Sequence, residues 1–337
     1  MENKSNLKSS VIQYCLEISS DPLLVQGAGG NVSWKEGNIL WIKASGTWLS
    51  DAADGDIFVP VDLTFLRKSI DSNNFSVSPQ LTIASDLRPS IETLLHALMP
   101  HPVVVHLHAV EILAHLVRSN CEKELNSLLE NFIPWIIVDY YKPGQILVAE
   151  VNKALAKNRT AKVIFLKNHG VVIGGANVDE IRQILRFLIA VLSTPVNKTC
   201  PSDIPISLID RYAPAHDTAL HRLALDARLF KRLQTDWALY PDHVVFLGPN
   251  AHLYQSWDDL KKVLALTNEF PEQIFIRDKG VFVTNIFSKA KAMQLRCYYD
   301  ILIRQPHDAK LQSLSQNQIM DLLNWDAEKY RMRRAKQ

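Results

Sequence analysis

The stretch Gly27-Ala28-Gly29-Gly30-Asn31-Val32 sets the first limit on the fold, because its glycines break regular structure and no helix follows them. A dinucleotide-binding fingerprint needs a third glycine at residue 32 with a helix behind it. Val32 stands there instead, and Val32 to Trp34 and Ile39 to Ala44 alternate as strands around Glu36-Gly37-Asn38, a hairpin signal. The Rossmann reading fails. Successive backbone N–H groups in the glycine turn can still cradle an anion, with Ser45-Gly46-Thr47 after the next strand as further donors. An ordinary pair of loops fits the same residues.

Apolar spacing predicts a helix from about Ser10 to Ser20, and Pro89-Ser90 opens another over Ile91 to Met99 with Ser90 as N-cap. Val103 to His108 is predicted as a buried strand with a helix, Glu111 to Arg118, behind it. Lys162 to Leu166 and Val171 to Ile173 are strands flanking Asn168-His169-Gly170, followed by a helix from Asp179 to Leu192. Strands and helices mixed with hairpins predict an α/β fold of α+β-like kind, a central, mostly antiparallel β-sheet covered by helices. A chain of 337 residues with 47% hydrophobic content has material for one large core and a smaller one.

The segment 193–210 holds three prolines and little periodicity, so the boundary is placed there: a first domain at 1–195, a linker at 196–215 and a smaller α/β C-terminal domain at 216–337. In that domain we expect a helix near Ala219 to Gln234, a strand at His243 to Leu247 and a helix at Trp257 to Thr267. A hairpin on Asp278-Lys279-Gly280 and closing helices at Ser288 to Ile303 and Gln316 to Arg334 follow. Ile164-Phe165-Leu166-Lys167-Asn168-His169-Gly170-Val171 and Ile274-Phe275-Ile276-Arg277-Asp278-Lys279-Gly280-Val281 match in pattern. Either the C-terminal domain is a degenerate half-repeat, or two strand-turn-strand-helix units coincide.

The net charge of +2, with both signs interspersed, offers no electrostatic case for nucleic acid or an anionic membrane. Cys15, Cys121, Cys200 and Cys297 are too scattered for a zinc ribbon or a disulfide framework and read as reduced thiols. Met1 to Ser10 lacks the pattern of a signal segment, and no apolar run approaches the ~20 residues of a membrane span, so a cytoplasmic protein is expected.

His106 and His108 are two apart on a strand, so both imidazoles leave one face with α-carbons about 6.6 Å apart, a separation suited to one ion. Buried, hydrogen-bonded histidines would give the same pattern. His169 lies in a tight turn between strands, where a sheet presents functional groups. Three neutral imidazoles with an open fourth position are the donor set of a catalytic rather than a structural zinc. Glu92, a short way upstream, can hang its carboxylate over the same place or serve as a first-turn acid at a helix N-terminus. His96, one turn on, packs against Glu92 or supports it.

Together these residues resemble the class II aldolase/adducin family over Val11 to Leu192. The motifs are Gly27-Ala28-Gly29-Gly30-Asn31-Val32-Ser33, Lys43-Ala44-Ser45-Gly46, Pro89-Ser90-Ile91-Glu92, His106-Leu107-His108 and Asn168-His169-Gly170, in the family's order. The resemblance implies a divalent metal, zinc, on His106, His108 and His169, with Glu92 as the catalytic carboxylate. It implies a substrate phosphate pocket from Gly30, Asn31, Ser45, Gly46 and Ser90, although Ile91 stands where the family has a second serine. Tyr140 resembles the tyrosine that members lend as an acid across a subunit interface, so a homo-oligomer, a tetramer in many relatives, is implied. The wording around His106 and the segment Pro241-Asp242-His243-Val244 resemble the aldolase part of long bacterial proteins joined to a short-chain dehydrogenase, a part not expected in this chain.

The activity implied is reversible carbon–carbon cleavage of a small hydroxylated carbonyl compound, such as a sugar or sugar phosphate, with the enediolate chelated by the metal. Dehydration or epimerisation at the same site is the nearest alternative, and a non-catalytic adducin-like binding module a more distant one. For the C-terminal domain three roles stay open: covering the site, building the oligomer, or surviving as a worn copy of the first domain.

Overall fold

The computed structural model describes residues 2–129, 132–196 and 204–334. Cys200 and residues 197–203 of the proline-bearing stretch lie outside the described residues. One sheet contains β1 (Asn31–Glu36), β2 (Ile39–Lys43), β3 (Phe58–Asp62), β4 (Val103–Leu107), β5 (Trp135–Val138), β6 (Val163–Leu166) and β7 (Gly170–Gly175). Its order is β3-β2-β1-β4-β7-β6-β5, and every neighbouring pair is antiparallel except β5 with β6. A second sheet contains β8 (Tyr212–Pro214), β9 (Leu253–Tyr254), β10 (Gln273–Ile276) and β11 (Gly280–Thr284). Its order is β8-β11-β10-β9, with only β9 and β10 parallel.

The helices along the first sheet are α1 (Glu2–Ser19), α2 (Leu63–Asp71), α3 (Thr93–Leu98), α4 (Val110–Leu116), α5 (Cys121–Leu129), α6 (Gln145–Lys157) and α7 (Val178–Leu192). Those that follow are α8 (Arg222–Leu225), α9 (Ala227–Thr235), α10 (Pro241–Leu247), α11 (Trp257–Thr267), α12 (Lys289–Ile303), α13 (Gln316–Leu323) and α14 (Asp326–Arg334). No helix among the described residues is long and apolar enough to cross a membrane. Cys15, Cys121 and Cys297 are buried and free.

Period-two alternation divides β4 between two cores. Val103, Val105 and Leu107 join the layer of α1, α4 and α7, whereas Val104 joins the layer of α2, α3 and α6. Burying a side chain of this kind contributes about 1.5–3 kcal/mol, so a one-residue slip in register would forfeit several such terms and drive His106 into hydrocarbon. The first of these cores continues into α10 and α12 through Tyr240, Val244, Leu295 and Tyr298. The second sheet packs Ile274, Ile276 and Phe282 against Trp257 and Leu260 of α11.

Four expectations about local structure are corrected. His243 to Leu247 is not a strand but most of α10, because Pro241 sits in its first turn and the apolar run after it has no period of its own. The helix after Ser90 starts only at Thr93, with Glu92 in the N-cap position; the Ser90 hydroxyl accepts from the Glu92 N–H at 3.2 Å. Asp226 interrupts the helix expected near Ala219 to Gln234, its side chain capping α9. The closing helix breaks at Asn324-Trp325 into α13 and α14.

Candidate metal centre

His106 and His108 continue the Val104 face of β4 to the end of the strand, where the core of that face gives out. The ladder sets Asn31 of β1 opposite His106 on one side and Val172 of β7 on the other. His169 arrives from the turn between β6 and β7, in which Asn168 takes the left-handed conformation at φ 54°. Asn168 Nδ2 fixes that turn by donating to the Leu239 carbonyl at 2.9 Å and the Gln312 carbonyl at 2.6 Å. Gly170 is needed beside it: a Cβ there would run into the Leu107 carbonyl and stand 3.1 Å from both His106 Cε1 and His108 Cδ2.

The turn and the strand therefore meet. One ligand atom from each of His106, His108 and His169 lies within 4.8 Å of the others, and all three residues are buried. His106 Nδ1 faces the Val171 carbonyl at 3.2 Å. A carbonyl only accepts, so Nδ1 carries the proton and Nε2 keeps its lone pair. His108 Nδ1 stands 3.3 Å from Asp242 Oδ2, which likewise favours a lone pair on its Nε2. The two Nε2 atoms are 3.1 Å apart. Two lone pairs repel at that distance unless a cation lies between them, and the edge of a tetrahedral zinc–nitrogen site is about 3.3 Å. Burial, reinforced by the neighbouring imidazoles, pushes His106 well below its ordinary pKa, and burial and His108 push His169 down to about 3. Neutral rings are the form that ligates a metal, so the donors fit a divalent cation.

Glu92 overhangs the triad, its oxygens 3.5 Å from His106 Nε2 and 3.5 Å from His169 Nε2. Asn31 Nδ2 donates to Oε2 at 2.6 Å, while Oε1 has no hydrogen-bond partner. Burial pushes the carboxyl up to about 7. His96 supports α3 rather than joining the cluster, pairing its Nδ1 with Ser33 Oγ at 2.7 Å.

Gly30, Asn31, Ser45, Gly46, Ser90, Glu92, His108 and His169 line one cavity of about 30 Å³, room for about a single water. Tyr140 is not brought there; its hydroxyl is buried without a hydrogen-bond partner among the described residues. Three charged lining residues of the second half were missed. Asp242 of α10 and Glu328 and Arg331 of α14 come from the far end of the chain. Burial opposes ionisation of Asp242, but the Arg331 guanidinium and His108 outweigh it and hold the carboxyl well below the usual range. Lys43, quoted only as part of a motif, is also in the lining, its Nζ donating to the carbonyls of Ala28 at 3.2 Å and Thr47 at 2.6 Å.

Residues 9–193 match the sequence model of the family described as Class II Aldolase and Adducin N-terminal domain. The chain is 28% identical over 182 residues to "Uncharacterized oxidoreductase YuxG" of Bacillus subtilis, across 49% of this chain and 26% of that protein. It is 28% identical over 182 residues to an L-fuculose phosphate aldolase of Methanocaldococcus jannaschii, across 51% of this chain and 86% of that protein. A 3-oxo-tetronate 4-phosphate decarboxylase of Haemophilus influenzae is 32% identical over 106 residues, across 27% of this chain and 48% of that protein. The match thus spans about a quarter of the length of the Bacillus relative.

Proposed function

The chain belongs to the class II aldolase and adducin family, and on that footing we propose that it is a metal-dependent carbon–carbon lyase acting on a small hydroxylated carbonyl compound. The convergence of three buried imidazoles to within 4.8 Å beside Glu92 carries this reading. His106, His108 and His169 would hold a divalent cation, zinc by our reading, which when bound supplies Lewis acidity to the substrate's carbonyl and adjoining hydroxyl oxygens.

The remaining work falls to this chain's own residues. Glu92, pushed up to about 7, can both take and return a proton near neutral pH, and it moves the proton at the carbon that becomes nucleophilic in the aldol direction. Asn31 holds one Glu92 oxygen at 2.6 Å and leaves the other free for that proton. Asp242 orients His108, and the Val171 carbonyl orients His106. Gly30, Ser45, Gly46 and Ser90 form the wall against which the far end of the substrate rests. Tyr140 lies outside its own chain's cavity and enters as a proton donor only from a second copy, in a homo-oligomer.

Metal analysis of the purified chain together with product analysis on candidate ketoses and ketose phosphates tests the proposal. We expect about one divalent ion per chain and two carbonyl fragments per turnover. A His106→Ala chain with full metal content would overturn the ligand assignment. The decarboxylase relative favours one second reading, in which the same site breaks a bond to a carboxyl group; carbon dioxide among the products selects it.

A further inference from the structure

The space above the imidazoles is far below the ~300 Å³ from which pockets for small organic ligands start, so something must move before a substrate binds. What fills the space is α14. A Cβ built on Gly46 would meet Arg334 Cβ at 2.6 Å and the Arg331 carbonyl at 3.2 Å, so the helix lies directly on the Ser45-Gly46 loop. Its sequence, Asp326 to Arg334, is largely charged, and Met332 is its contribution to the apolar core. Elsewhere it is held by Arg331 on Asp242 of α10 and by the Arg88 guanidinium 4.5 Å from the Tyr330 ring centroid, whereas Arg331 on Glu328 is an ion pair within the helix itself. A helix attached mainly through such contacts opens at lower cost than one buried in hydrocarbon.

Arg331 is the cation in the lining that can change partners. Lys43 spends its ammonium on two backbone carbonyls. The Arg331 guanidinium instead rests on two side-chain acids of the second half, bonding Asp242 Oδ2 at 2.8 Å and Glu328 Oε2 at 3.4 Å. A guanidinium fork fits a phosphate or carboxylate as well as it fits Asp242. Ile91, also in the lining, offers no hydroxyl to an anion.

We propose that Arg331 is a specificity-determining residue: α14 lifts from the Ser45-Gly46 loop to admit a small hydroxycarbonyl compound bearing a phosphate or carboxylate, and Arg331 exchanges Asp242 for that anionic end. This rests on the lyase reading for the chemistry of the substrate, and on α14 alone for the selection. Full-length, metal-loaded protein titrated calorimetrically with inorganic phosphate and separately with glycolate distinguishes the two anion classes. At least one should bind, and Arg331→Gln should weaken it about tenfold or more, the loss expected for one charged hydrogen-bonded pair. Asp242→Asn should strengthen it by removing the competing carboxylate, a gain that misfolding cannot imitate and that disappears when Arg331→Gln is added. Backbone amides of 326–334 should exchange faster than those of β4 and slow when the anion binds. Failure of both anions to bind, indifference to Arg331→Gln, or exchange in α14 as slow as in β4 overturns the proposal. Metal content and products are read separately, so a chain that holds metal but ignores Arg331 sinks this inference alone, and one that binds phosphate through Arg331 without metal sinks only the lyase reading.

Discussion

Asn168 and Asp278 both adopt the left-handed conformation, at φ 54° and 56°, each one position before the central residue of a strand-turn-strand unit. The Asn168 N–H donates to Leu116 at the end of α4, and the Asp278 N–H to Ala224 in α8. Lys167 and Arg277 donate to Val138 of β5 and Tyr254 of β9, at 3.0 and 2.9 Å. Leu166 faces Gly170 as Ile276 faces Gly280, and the order β4-β7-β6-β5 recurs as β8-β11-β10-β9. From these correspondences we propose that the C-terminal domain is a worn copy of part of the first, with β8, which falls in the stretch expected as linker, as its opening strand. The side chains differ where the backbones agree. Val172 faces His106 whereas Phe282 faces Pro214, which puts His216 at the position of His108 and Lys279 at that of His169. His169 is buried, next to an Asn168 clasped by the Leu239 and Gln312 carbonyls, but Lys279 is exposed. On the proposed function, the first unit would hold its cation through three side-chain identities that the second unit lacks.

The largest expected effect follows from the turns themselves. His169→Ala should remove the bound metal and lower turnover at least about a thousandfold, the upper range for losing one electrostatic group of a site, while the thermal unfolding midpoint of the metal-free chain changes little. Lys279→Ala should leave metal content and turnover untouched. Equal losses in the two variants would break the comparison.

A graft sharpens it. Pro214→His with Lys279→His places three imidazoles, His216 included, at the corresponding positions of the second sheet. Metal titration should then show a second ion per chain, held about 100-fold or more weakly because the graft supplies the rings without partners built to orient them. No second ion at any metal concentration would mean that the two backbones are less alike than their ladders indicate.

The sequence made part of this contrast legible. Alternation through Val103 to His108 put both imidazoles on one face, and the Asn-His-Gly turn marked a third, because both signals are local. The sheet class and the echo between the two hairpins were local too. Asp242, Glu328 and Arg331 were not legible as site residues: nothing in Pro241-Asp242-His243 or in the basic tail signals contact with His108, which lies more than a hundred residues earlier. α10 was misread for a related reason, since Val244-Val245-Phe246-Leu247 is buried on all sides and carries no period. Tyr140 was placed through resemblance alone, and its own chain keeps it out of the cavity.

Smaller differences test the cover. Asn168→Ala leaves the Leu239 and Gln312 carbonyls without their buried donor, about 1–3 kcal/mol, and puts a Cβ residue without a compensating side chain in the left-handed region, about 1 kcal/mol more. Asp278→Ala incurs only the second cost, since that turn is exposed. Urea unfolding should therefore separate the two variants by about 2 kcal/mol. Equal destabilisation would mean that the clasp on Asn168 contributes nothing.

The smallest effect concerns two lysines of the first half. Lys43 is buried, and Lys35 donates to the Met99 carbonyl; burial, aided by Arg331 and Arg67 respectively, pushes each down to about 7. In the unfolded chain both titrate near the ordinary value of about 10.4. Between pH 7 and about 10 the unfolded chain thus holds protons that the folded chain has shed, and their contribution to stability rises with pH through that window; below both values it is flat. From pH 7 to 8 each lysine should add about 1 kcal/mol to unfolding free energy. Lys43→Met should remove its share of the slope. If the slope survives Lys43→Met unchanged, water already reaches that ammonium, and the closed position of α14 over the Ser45-Gly46 loop is not the resting state of the protein.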